Sequence, residues 1–174
     1  LNDRPGTLVK EETRSMEDVV VRGVSLDKNQ AKITIVGVPD QPGVAARLFK
    51  ALAEKAVSVD MIVQNVSHGA GVPLTDLSFT VDKADLAKAR ATIDVLKTAV
   101  AYQEVNSDEN IAKLSLVGVG MKSHSGVAAK MFETLAAVNI NILMISTSEI
   151  KISVLIEISK GDEAARAVHR AFLG

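Results

Sequence analysis

The sequence predicts an α+β protein built from two copies of one βαββαβ unit. Three observations predict it: an internal repeat, a switch of apolar period within each copy, and a spare strand at the front of the chain. AKITIVGV at 31–38 returns as AKLSLVGV at 112–119, 81 positions on. GVAARLFKALA (43–53) returns as GVAAKMFETLA (126–136), and VSVDMI (57–62) as INILMI (140–145), each 83 positions on, so the second copy has two extra residues in its first loop. A period of this length is too long for a solenoid repeat and suits a whole small domain.

In copy one, residues 32–38 alternate with β-branched side chains and read as a strand. Val44, Leu48, Phe49 and Leu52 then form one helical stripe within 43–55. Residues 57–66 and 74–81 read as two strands around a loop holding Gly69, Gly71 and Pro73. Leu86, Ala89, Ile93 and Leu96 give a second helix over 84–98, and a short strand over 101–106 completes the unit. This order is the ferredoxin-like arrangement, an antiparallel sheet with two helices on one face. Copy two repeats it as strand 112–119, helix 125–137, strands 139–147 and 150–158, and helix 162–172. It then lacks residues for its last strand. The segment DVVVRGVSL (18–26) has strand composition and no place in copy one, so it is expected to complete copy two. Copy one is then an insertion within copy two.

Composition excludes several function classes. The 174 residues carry 20 Lys plus Arg against 21 Asp plus Glu, a formal charge of −1, so no basic footprint for nucleic acid or anionic lipid exists. The βαββαβ order also serves RNA-recognition domains, but four Phe and one Tyr, with Phe49, Phe132 and Phe172 on predicted helices, leave too few aromatics for base stacking. With no Cys, disulfides and thiolate chemistry are absent; a cytoplasmic location is expected. The longest apolar runs, such as 140–145, are far too short to span a membrane. His68, His124 and His169 are scattered and imply no metal, and Met61, Met121, Met131 and Met144 read as core or interface filler. Gly118, Gly120 and Gly126 are wrongly spaced for a dinucleotide fingerprint. No glycine-rich loop leads into a helix with a following Lys, so this chain is expected not to transfer phosphate.

The stretches MEDVVVRGVSLDKNQAKITIVGVPDQPGVAARLF, VDMIVQNVS, SLVGVGMKSH and NINILMISTSEIKISVLI occur in the order and spacing of one family. From about Met16 onward the chain resembles the carboxy-terminal regulatory region of aspartate kinases, which holds two ACT domains. The resemblance implies four segments: 1–15 as the tail of the kinase domain or a linker, 16–30 as the strand completing the second ACT unit, 31–108 as the first unit and 109–174 as the second. Leu1 is not an initiator, so a fragment of a longer chain is expected, and Met16 sits where an internal translation start could produce a separate subunit. It further implies feedback inhibition of aspartate phosphorylation by threonine, lysine or both, a homodimer through the ACT units, and a kinase domain or catalytic subunit as partner. ATP and Mg would serve that catalytic part, and no cofactor is expected in this chain. A regulatory ACT region of another amino-acid enzyme is the alternative, since a fold alone does not fix function.

A free amino acid presents a carboxylate and an ammonium on one carbon, so a receptor needs donors on one side and an acceptor on the other. The turn PDQPGVAA (39–46) joins strand to helix, with Pro42 expected near the first helical position and free N–H groups facing a bound carboxylate. Asp40 can meet the ammonium, although by residue type alone it reads more often as a cap or turn residue, a balance that the resemblance reverses. In the resembled family the effector lies between two ACT units. The resemblance therefore implies Asp40, Gly43, Val44, Ala45 and Gln64 from unit one, with Asn141 and Ile142 from unit two. Ser67, Ser78, Thr147 and Ser148 fall at or near positions it ties to feedback control. The longer loop VGMKSHSGVAA (119–129) has no counterpart of Asp40 and has Ser125 where the family more often has proline. Both departures weaken the case for an equivalent site; Ser123, His124, Val127 and Ala128 are the candidates there for a second effector site or for feedback control, with hydroxyls such as Ser123 meeting the ammonium.

Overall fold

Two four-stranded antiparallel sheets organise the protein, each with helices on one face. The computed structural model describes residues 20–67, 73–119 and 126–174. The expectations for residues 1–15 and for Met121, Ser123, His124, Ser125 and His68 fall outside them.

In the first unit, β2 (Gln30–Pro39), α1 (Val44–Glu54), β3 (Val59–Ser67), β4 (Leu74–Asp82), α2 (Leu86–Val95), the short α3 (Lys97–Val100) and β5 (Glu104–Asp108) follow in order. The strands lie as β3-β4-β2-β5. Every second residue of β2 and β4 turns to the helices, so Ile33, Ile35, Leu77, Phe79 and Val81 meet Leu48 and Leu52 of α1 and Ala89 and Ile93 of α2. Phe49 and Phe79 meet edge to face with ring centroids 5.4 Å apart. The predicted single helix over 84–98 is interrupted at Leu96, and the left-handed Ala101 ends α3, which delays the last strand to 104–108.

The second unit contains β6 (Ile111–Val119), α4 (Val127–Ala137), β7 (Met144–Thr147), β8 (Lys151–Glu157) and α5 (Gly161–Leu173). Its sheet runs β1-β6-β8-β7, with β1 (Val20–Asp27) antiparallel to β6 from Val20↔Val119 to Asp27↔Lys113. The front strand therefore completes copy two, in the position that β5 fills beside β2. Val24 and Leu26 of β1 pack on the core of Leu114, Leu116, Met131, Leu135, Val154 and Val168. Strand β7 is shorter than the predicted 139–147: Asn139 is left-handed (φ 53°), and Ile140 and Ile142 pack inward before pairing begins at Met144.

The units meet through the sheet faces that bear no helices. Met61 and Val63 of β3 join Ile111 of β6, Met144 of β7 and Leu155 of β8 in one apolar cluster, as expected of methionine used as filler. Lys113 crosses the same boundary to Asp60, with its Nζ 3.0 Å from the carboxylate.

Candidate effector-binding site

A cleft of about 350 Å³ opens where β2 runs into α1. Val38, Pro39, Asp40, Gln41, Pro42, Gly43, Val44 and Ala45 form its rim, and Gln64, Thr75 and Leu77 come from the neighbouring strands. Its backbone follows from the turn sequence. Asp40 N–H donates to the Pro73 carbonyl (2.9 Å) and Gln41 N–H to that of Pro39 (2.9 Å), which folds the chain back. Gly43 then takes φ 89°, a left-handed conformation that glycine adopts freely, and serves as the N-cap of α1. Pro42 consequently lies two residues before the first helical residue, Val44, rather than at it.

The helix start leaves donors over. Val44 N–H reaches the Gln41 carbonyl (3.3 Å) and Arg47 N–H that of Gly43 (3.0 Å), while Gly43, Ala45 and Ala46 have no backbone acceptor among the described residues. These amides sit at the positive end of the helix dipole, a place that favours a carboxylate. No side chain caps α1, and the exposed Asp40 carboxylate has no hydrogen bond or ion pair among the described residues. The cap reading of Asp40 therefore does not hold. The cleft offers free N–H groups and one free carboxylate, the pair that a zwitterion requires.

Five of the seven residues expected for the effector, Asp40, Gly43, Val44, Ala45 and Gln64, line this one cleft. Asn141 and Ile142 do not. Asn141 is exposed and Ile142 packs on the core of unit two, both just before β7. Thr75 and Leu77 are lining residues that sequence reasoning missed. The Thr75 hydroxyl is buried and donates to the Asn65 carbonyl (2.8 Å), and its only signal was a polar residue at an inward position of β4.

The control positions are spread out. Ser67 ends β3 opposite Leu74. The Ser78 hydroxyl bonds that of Thr34 (2.9 Å). Thr147 ends β7, and Ser148 N–H donates to the Lys151 carbonyl (2.7 Å) in the β7–β8 turn. Val127 and Ala128 begin α4 behind Gly126, whose φ of −140° differs from that of Gly43, so the two helix entries are not equivalent. Among the described residues no three His, Asp or Glu side chains converge as for a metal, and no helix is long and apolar enough to cross a membrane.

Duplicated ferredoxin-like units with a ligand-sized cleft at the first strand-helix turn are matched by a family model described as ACT domain, over residues 33–95 and 114–172. The chain belongs to the ACT-domain family. It is 48% identical over 169 residues to an aspartate kinase of Stutzerimonas stutzeri, covering 97% of this chain and 40% of that one. Among solved structures it is similar to the regulatory subunit of aspartate kinase from Thermus thermophilus in its ligand-free form (42% identity, TM-score 0.80, 87% of this chain and 98% of that one). It is equally similar to a chain of the aspartokinase alpha and beta subunits (45% identity, TM-score 0.80, 89% and 100%). These ACT domains are thus those of an aspartate kinase regulatory region, and the chain spans about two fifths of the curated relatives it matches.

Proposed function

We propose that the chain senses threonine, with lysine as alternative or co-effector, and that binding inhibits aspartate phosphorylation by a catalytic part of the same enzyme. The observation that supports this most is that one cleft is lined both by Asp40, whose carboxylate is unpaired among the described residues, and by Gly43 and Ala45, whose amides have no backbone acceptor among them. Threonine would place its carboxylate on those amides and its ammonium at Asp40. Its small hydroxylated side chain suits a pocket edged by Gln64, whereas lysine needs a longer slot with a distal acid.

Asn141 and Ile142 would come from a second copy of the chain. Exposed Ile62 (49%) on edge strand β3, and exposed Leu143 (42%) just before and Ile145 (42%) on edge strand β7, favour pairing of unit one with unit two of a partner. That closes the cleft and makes a homodimer.

The test is a thermal-shift titration with sedimentation. A ligand specific to the folded state stabilises it by about 2.7 kcal/mol at a hundred times its Kd, and each kcal/mol moves Tm by roughly 2–4 °C, so a rise of about 5–11 °C is expected. Asp40→Ala removes most of the rise and leaves the unliganded Tm little changed. If neither threonine nor lysine shifts the parent, or if the mutant responds like it, the site assignment fails.

A further inference from the structure

Strand β3 carries Gln64 to the cleft, and it makes a further contact outside the cleft. Its register against β4 breaks between Asp60 and Val63, and Met61 there takes φ 47°, a left-handed conformation uncommon for a side-chain-bearing residue. Asp60 holds this bulge. One carboxylate oxygen, Oδ1, accepts the Met61 amide at 2.8 Å, and the other, Oδ2, accepts Lys113 Nζ at 3.0 Å. Lys113 belongs to unit two and is only 15% exposed at its side chain. Its Nζ also lies 3.7 Å from Asp27 at the end of β1. Burying an ammonium in this way is favourable only with its carboxylates in place.

We infer that Lys113 is a positioning residue for the cleft of unit one: from unit two it fixes the Asp60–Met61 bulge and thereby the register that turns Gln64 to the cleft rim. A one-residue slip in a strand turns every following side chain to the opposite face. Releasing Asp60 would let β3 lose its bulge, with Gln64 leaving the rim and Met61 leaving its cluster with Met144 and Leu155. The second copy of the repeat has no such device: Leu143 stands at the position of Asp60, 83 residues on, so Lys32, the counterpart of Lys113, has no matching carboxylate there.

The inference rests on the proposed effector reading for its ligand arm alone. Amide exchange on the ligand-free chain comes first, comparing the parent with K113M, K113R and D60N. K113M is expected to speed exchange at residues 61–66 by about tenfold with little change in the α4 and α5 amides, and K113R to restore parental rates within about threefold. D60N keeps an oxygen for the Met61 amide but loses the charge, so an intermediate rate is expected. Threonine titration then follows: K113M is expected to bind about tenfold more weakly while remaining cooperatively folded, and K113R to recover. Parental exchange at 61–66 in folded K113M and D60N overturns the inference. So does global acceleration in every variant, K113R included, since that marks a merely structural lysine. Failure of the parent to bind threonine or lysine overturns the effector reading and leaves the exchange result to decide this one.

Discussion

Gln103 occupies the space that a side chain on Gly37 would need. Its Cγ and Cδ lie within overlap distance of a Cβ placed there, and Gly37 itself is left-handed at φ 67°. The Gly37 amide donates to Asp76 Oδ1 at 2.9 Å, at the point where the β2–β4 register shifts just before the cleft. Gly37→Ala therefore combines backbone strain with a side-chain clash and is expected to cost about 2 kcal/mol, or roughly 4–8 °C in Tm. Adding Gln103→Ala should recover the clash but not the strain. A thermal melt of the three variants checks this, and an unchanged Gly37→Ala refutes it.

Gly43 differs in an instructive way. It is also left-handed, at φ 89°, yet a Cβ there meets nothing within 4 Å. Gly43→Ala is expected to cost only the strain, about 1 kcal/mol. Because the new methyl stands at the cleft rim, effector affinity should fall by more than stability does, which calorimetry and melting together resolve.

Removing residues 1–27 deletes β1 and uncovers the edge of β6. Unit two then loses Val24 and Leu26 from its core, whereas the sheet of unit one keeps all four of its strands. Amide protection over 112–158 should drop more than over 31–66. The reverse order would contradict the strand assignment.

Asp60 gives a pH dependence with a definite sign. Burial raises its pKa, but the hydrogen bond from Lys113, the Met61 amide and the charges of Lys113 and Lys151 together outweigh it, so the net value lies below the ordinary carboxylate. A depressed folded-state pKa contributes stability that is present above the unfolded value, about 3.9, and is lost as pH falls through the folded value. Asp60 is 46% exposed at its side chain, so solvent screening holds the contribution to ~0.5 kcal/mol. The parent should thus lose stability below about pH 4 slightly more steeply than D60N, as measured by denaturant melts from pH 3 to pH 6.

The repeat, the unit order and the loan of β1 to copy two were legible because strand alternation and helical stripes are written in local sequence. The turn 39–46 was legible for the same reason, since Pro and Gly mark a strand-to-helix corner by their own backbone limits. Other features depend on partners far away in sequence. Nothing local marks Lys113 as buried, because its burial follows from carboxylates on β1 and β3. The bulge at Met61 interrupts no pattern that VDMIVQN displays on its own. Ile140 and Ile142 kept strand-like spacing but lie outside β7, because the left-handed Asn139 redirects them into the core.

The borrowing of β1 also sets a timetable for synthesis. β1 leaves the ribosome before either unit, yet the helix that packs on it follows both: Lys28, just past its end, meets Asp162 of α5 134 positions later. At 5–20 residues per second the wait is on the order of ten seconds. Unit one can close meanwhile, since all its strands are consecutive. The newborn chain thus carries a finished domain with an unpaired apolar ribbon ahead of it, and that ribbon is the part most in need of shelter until the last helix arrives.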